Sequence, residues 1–225
     1  RSCGMIIGDQ TGVGKGCVAG GMMKYAKQNR MIPFFITEKA SLFADIYRDL
    51  ADIGMDTEQR PFVALCTNNT SDNIKQVQLS RGRVIRNTTA AAEKWLEECL
   101  DNYEKNGVFA DSKGKQYDAV FTTYSQWQAI GEKEPKRRAL FQRLAKHSFM
   151  IMDESHNAVG DESTGRRQNR NAPINRAELI REVLQDAKGA MWLSATYAKR
   201  PQAMTLYAQT DMVKATDGNI DALVE

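Results

Sequence analysis

The run Gly8-Asp9-Gln10-Thr11-Gly12-Val13-Gly14-Lys15-Gly16 places a lysine directly behind two closely spaced glycines. Glycines at 12 and 14 let backbone N–H groups turn inward and close on anionic oxygens that side chains would block. Lys15 adds a mobile point charge suited to the β- and γ-phosphates of a nucleotide. The segment from Gln10 through Thr11, Gly12, Val13, Gly14 and Lys15 to Gly16 is therefore a candidate phosphate cradle. It departs twice from the strict G-x-x-x-x-G-K-[ST] pattern, with Asp9 at the first glycine and Gly16 where a hydroxyl is wanted. That hydroxyl ordinarily ligates Mg²⁺, so a metal here must be held through water or by other residues.

Farther along, Phe149-Met150-Ile151-Met152 runs into Asp153-Glu154-Ser155-His156. Adjacent carboxylates point different ways, which suits a division of labour. Asp153 can hold Mg²⁺, mostly through water, because that ion keeps much of its hydration shell. Glu154 can orient and deprotonate an attacking water. An acidic pair at a strand end is commonly a loop cap, and the phosphate loop upstream is what gives this pair a catalytic reading. Ser194-Ala195-Thr196 follows one strand–helix unit later, and its hydroxyls could hydrogen-bond toward His156 and the acidic pair.

These residues need elements to hold them. Short apolar runs over 3–7, 33–37, 61–67, 119–122, 148–152 and 190–194 predict strands. Between them, helical spacing marks 41–53, 88–105 and 176–187, with Gly54 placed as a C-terminal stop, and 17–28 is compatible with a helix. Strand alternating with helix predicts an α/β fold with a mostly parallel sheet. The phosphate loop then joins a buried strand to a helix, whose free N-terminal amides face the same anion.

Composition sets the outer bounds. A chain of 225 residues, 42% hydrophobic and 26% charged, is ordinary for a globular domain, which excludes a disordered chain. No apolar run approaches the roughly 20 residues of a membrane helix. A net charge of +3 implies no partner by itself. The four cysteines, Cys3, Cys17, Cys66 and Cys99, lie far apart, so free thiols in a reducing compartment are expected. The chain opens Arg1-Ser2 and reaches its first motif by residue 8, which leads us to expect a piece of a longer protein.

The motifs, in order, resemble those of superfamily 2 helicases of DEAD/DEAH type. The phosphate loop looks like motif I, Phe35-Ile36-Thr37-Glu38-Lys39 like Ia, and Thr122-Thr123-Tyr124-Ser125-Gln126 like Ib. Asp153-Glu154-Ser155-His156 and Ser194-Ala195-Thr196-Tyr197 look like II and III. Gly-Lys-Gly with Asp-Glu-x-His resembles the strawberry notch group in particular, where Gly16 is a group trait. The resemblance implies an N-terminal RecA-like P-loop NTPase domain over 1–225, using ATP and Mg²⁺. It assigns phosphate binding to Gly12, Gly14 and Lys15, metal and water handling to Asp153 and Glu154, and coupling to His156, Ser194 and Thr196. Thr37, Lys39, Thr123, Tyr124 and Gln126 would border a nucleic-acid path.

The implied function is an ATP-driven translocase or helicase, with double-stranded DNA as the expected track. The alternative is a nucleotide-switched interaction module with a slow or dead ATPase. The resemblance further implies a second RecA-like domain bearing an arginine finger, without which hydrolysis is weak. A methyltransferase or antirestriction module is another implied neighbour, as is a cytoplasmic, nucleoid-associated setting in a bacterium, plasmid or phage, or a nuclear one in a eukaryote. Three basic segments could add phosphate contacts: Lys133, Lys136, Arg137 and Arg138; Arg81, Arg83 and Arg86; and Arg166, Arg167, Arg170 and Arg176. The last lies largely in a stretch over 160–176 expected to be a surface loop, directly behind the acidic pair.

Overall fold

The computed structural model describes residues 4–8, 14–55, 63–65, 89–127, 135–158 and 176–194, with a few isolated positions up to 222. Six strands form one sheet: β1 (Gly4–Ile7), β2 (Ile32–Thr37), β3 (Val63–Leu65), β4 (Val120–Thr123), β5 (Ser148–Asp153) and β6 (Gly189–Leu193). Their order is β1-β6-β5-β2-β4-β3, and every pairing is parallel. Among the described residues five α-helices accompany them: α1 (Lys15–Gln28), α2 (Phe43–Asp52), α3 (Thr89–Asn106), α4 (Pro135–Ala145) and α5 (Arg176–Asp186).

The strands are apolar on both faces, as a parallel sheet covered by helices requires. On one face, Phe35, Phe121, Ile151 and Met191 pack against Ala19 and Met23 of α1 and Phe43, Ile46 and Leu50 of α2. On the other, Phe34, Val120, Met150 and Trp192 meet Leu96 and Leu100 of α3, Phe141 and Leu144 of α4, and Ile180 and Val183 of α5. Phe34, Trp127 and Phe141 form an aromatic cluster there, with centroids 4.5 to 5.7 Å apart.

This division of helices follows from the winding. From β1 to β2 and on to β3 the chain steps one way across the sheet, and from β3 it steps back through β4 and β5 to β6. Right-handed crossovers in opposite directions must lie on opposite faces, which puts α1 and α2 on one side and α3 to α5 on the other. The segments that leave β2 and β5 therefore part to opposite faces, opening a crevice at the carboxyl ends of these neighbouring strands.

One helix departs from expectation. Helix α4 occupies a stretch that reads in the sequence only as a basic run; Pro135 opens it, with a fixed φ suited to a first helical turn. The α2 exit matches its sequence signal: Gly54 has φ +76°, and Gly54 N–H and Met55 N–H donate to the carbonyls of Ala51 and Leu50. Among the described residues, no helix is long and apolar enough to cross a membrane. Cys17 and Cys99 are free thiols, the first exposed and the second buried, and burial pushes the Cys99 thiol far up. Cys3 and Cys66 lie outside the described residues.

Candidate active site

Register brings the chemical residues to one rim. Ile7 of β1 and Asp153 of β5 both pair with Leu193 of β6, so the ends of the three strands stand level. Ser194 N–H donates to the carbonyl of Ile7, 3.1 Å away, which fixes the start of the loop against the end of β6. Gly14, at φ +78°, caps the N-terminus of α1 in a left-handed conformation that side-chain-bearing residues avoid. Lys15 is then the first residue of α1 and is carried back over the rim.

Lys15 Nζ lies 3.8 Å from Glu154 Oε1. It is buried and has no hydrogen-bond partner among the described residues. A buried ammonium without hydrogen bonds is costly unless an acceptor is supplied. A phosphate oxygen is such an acceptor, so Lys15 and the rim fit a nucleotide. For a metal, among the described residues no three His, Cys, Asp or Glu side chains gather into a ligand set. The donors fit a cation that brings ligands of its own, as Mg²⁺ does with water and phosphate oxygens.

The two carboxylates part as their adjacency predicts. Asp153 ends β5 and accepts a hydrogen bond from Thr37 Oγ1 at 3.1 Å, on the neighbouring β2. Burial raises its pKa, opposed by the Thr37 hydrogen bond and reinforced by the charge of Glu154. A cation beside it would offset that cost of ionisation. Glu154 breaks from the strand at φ +48°, an uncommon conformation for a residue with a Cβ. The break turns its carboxylate to Lys15 on one side and to His156 Nδ1, 3.3 Å away, on the other.

His156 Nδ1 also lies 2.9 Å from Ser194 Oγ, so the short 3-10 turn Ser155–Ala158 is tied directly to the end of β6. Beneath the acidic pair, Tyr124 Oη donates to the carbonyl of Asp153 at 2.9 Å. Burial holds the Tyr124 phenol well above its usual pKa, so it stays neutral and able to donate. Ser155 Oγ meets Tyr207 Oη at 3.2 Å, and the Tyr207 ring packs edge-on against Trp192 of β6.

Four side chains of the expected nucleic-acid path face inward. Thr37, Thr123, Tyr124 and Gln126 are all buried. Thr37 and Tyr124 instead hold the acidic pair from behind, and Thr123 Oγ1 is engaged with Ser125 Oγ at 2.8 Å. Only Lys39 of that group is exposed, 4.0 Å from Glu38. In the first basic segment, the described cations meet carboxylates of α3 and α5. Lys136 pairs with Glu97, Arg137 with Glu93 and Arg138 with Glu182. Arg176 donates to the carbonyl of Asn157. Gln10, Thr11, Gly12, Val13, Thr196, Lys133, Arg166, Arg167, Arg170 and the Arg81–Arg83–Arg86 group lie outside the described residues.

One neighbour of the loop was missed in the sequence. A Cβ built on Gly16 would lie 1.8 Å from Asp49 Oδ2. Asp49 sits on the α2 face that carries Ile46, Leu50 and Ile53 toward the core, and an acid inside an apolar stripe is the signal that could have marked it.

A family model described as P-loop containing NTP hydrolase pore-1 matches residues 1–216. No curated protein matches the chain. The match spans nearly the whole length, and it agrees with a parallel α/β sheet whose rim gathers a glycine-capped lysine and an acidic pair. The chain belongs to the P-loop NTP hydrolase family of that description.

Proposed function

We propose that this P-loop domain is the first motor domain of an ATP-driven translocase or helicase of superfamily 2 type, acting on DNA. The observation that carries the reading is the contact between His156 and Ser194 at 2.9 Å. It links the acidic pair to the last strand, whose continuation toward Thr196 is a route by which nucleotide state could reach a bound strand. The order of the motifs supports the same reading.

In this mechanism Lys15 binds the β- and γ-phosphate oxygens and leaves its loose pairing with Glu154 to do so. Glu154 then orients the attacking water and takes its proton. Asp153, steadied by Thr37, would hold Mg²⁺ through water. Bound Mg²⁺ supplies neutralisation of the charge on the phosphoryl oxygens. His156 keeps Glu154 and Ser194 in register, so a shift of β6 alters the aim of the base.

The test is steady-state ATP hydrolysis alone and with duplex DNA, single-stranded DNA or RNA. The motor reading expects strong stimulation by one nucleic acid, and loss of that stimulation in Ser194→Ala with nucleotide binding retained. Hydrolysis that ignores every nucleic acid contradicts the motor and leaves a nucleotide-switched binding module.

A further inference from the structure

Gly16 stands where a phosphate loop normally projects its metal-binding hydroxyl, and the space for that side chain is already filled. A Cβ there would lie 1.8 Å from Asp49 Oδ2 and 3.0 Å from Asp49 Cγ. The carboxylate reaches across from α2 and is only 17% exposed. Its Oδ1 lies 3.3 Å from Arg48 Nη2, and Oδ2 is the oxygen turned to Gly16. The next residue back is Lys15, whose buried Nζ is without a hydrogen bond among the described residues.

A carboxylate held against a phosphate loop repels a bare polyphosphate and attracts a cation placed between them. Mg²⁺ is commonly bound by one or two carboxylates together with waters and the phosphates of its substrate. We propose that Asp49 takes over the part of the missing hydroxyl: its carboxylate, delivered by α2, binds the Mg²⁺ that accompanies the nucleotide, directly or through one water. Gly16 is then the residue that makes room for a ligand from another helix. The inference rests on reading the loop as a nucleotide site, and it adds one negative charge that a hydroxyl would not bring. Metal-free nucleotide therefore binds poorly, and the cation recovers more affinity than in a loop with a hydroxyl.

The experiment measures binding of a fluorescent ATP analogue with and without Mg²⁺, and Mn²⁺ binding to the nucleotide complex by electron paramagnetic resonance. Asp49→Asn keeps the shape and removes the charge. It is expected to weaken Mn²⁺ binding by roughly 10-fold or more and to tighten metal-free nucleotide. Gly16→Thr alone clashes with Asp49, but with Asp49→Ala it has room, since the Asp49 Cβ lies 3.8 Å from the new Cβ. The double variant is expected to regain Mg²⁺ dependence through its hydroxyl, and it carries the test should Asp49→Asn fail to fold. Unchanged metal dependence in a folded Asp49→Asn variant overturns the proposal and leaves Asp49 a packing residue, as does a folded double variant without Mg²⁺ dependence. A native protein that binds neither form of the nucleotide overturns the nucleotide reading itself, and this proposal with it.

Discussion

Glu154 holds its backbone at φ +48° at the point where β5 ends. For a residue with a Cβ the left-handed conformation costs about 1–2 kcal/mol, and here it aims the carboxylate at Lys15 and His156. Strain of this kind is tolerated where the surroundings fix it, as the Tyr124 bond to the neighbouring carbonyl does here. Glu154→Gly should therefore melt no lower than the native protein while losing hydrolysis, since relief of strain offsets the entropy glycine adds to the unfolded chain. A clear fall in melting midpoint would contradict this account of the backbone. Ser194→Ala removes one side of the His156 contact. It should cost about 1 kcal/mol in stability, read by chemical denaturation, with nucleotide affinity kept.

Helix α1 carries three glycines that differ in their surroundings, and two of them, Gly16 and Gly20, face α2. Gly21 is exposed with nothing near its missing Cβ, so Gly21→Ala should stabilise the protein by about 0.8–1 kcal/mol through helix propensity alone. At Gly20 the nearest atom is the tip of Ile53 at 3.1 Å, which can move. Gly16→Ala meets Asp49 Oδ2 at 1.8 Å and should destabilise by about 1–3 kcal/mol. Equilibrium denaturation of Gly21→Ala and Gly16→Ala should move in opposite directions, and parallel shifts would contradict the packing described.

Helices α3 and α4 are clamped at their far ends, where Arg143 donates to both oxygens of Glu104 and to Asp101, and His147 Nε2 lies 3.0 Å from Glu104. The Arg143 hydrogen bonds hold the Glu104 carboxyl down at about 2, against an ordinary 4.5. A depressed carboxylate stabilises the fold above its unfolded pKa, and the contribution is lost as pH falls through the folded value. Stability should therefore decline between pH 4.5 and 2, and Glu104→Gln should flatten that limb of an acid titration. A limb unchanged in the variant would place the acid sensitivity elsewhere.

At the scale of the molecule, one reversal of winding after β3 separates the helices and leaves the motifs on a common rim. Most strands and three helices were legible in the sequence through their apolar patterning, and α1 through its place behind the phosphate loop. Helix α4 was not, because a run of lysine and arginine at its start conceals Leu140, Phe141 and Leu144 behind it. The rim itself was legible, since the phosphate loop, acidic pair and Ser194 fall at predicted strand ends. What was hidden depends on contacts between elements: the burial of Thr37 and Tyr124 behind Asp153, the pairing of Arg137 and Arg138 with other helices, and the approach of Asp49 to Gly16. No local pattern encodes which helix will lie beside which.

In the proposed mechanism this rim hydrolyses a nucleoside triphosphate with Lys15 as phosphate ligand and Glu154 as base. Phosphate release and nucleotide binding, measured together on the native protein, Lys15→Ala and Glu154→Gln, test it most directly. Hydrolysis is expected only in the native protein, with Glu154→Gln still binding ATP and Lys15→Ala binding it far more weakly. Undiminished phosphate release by Glu154→Gln would overturn this assignment, because the base would then lie elsewhere.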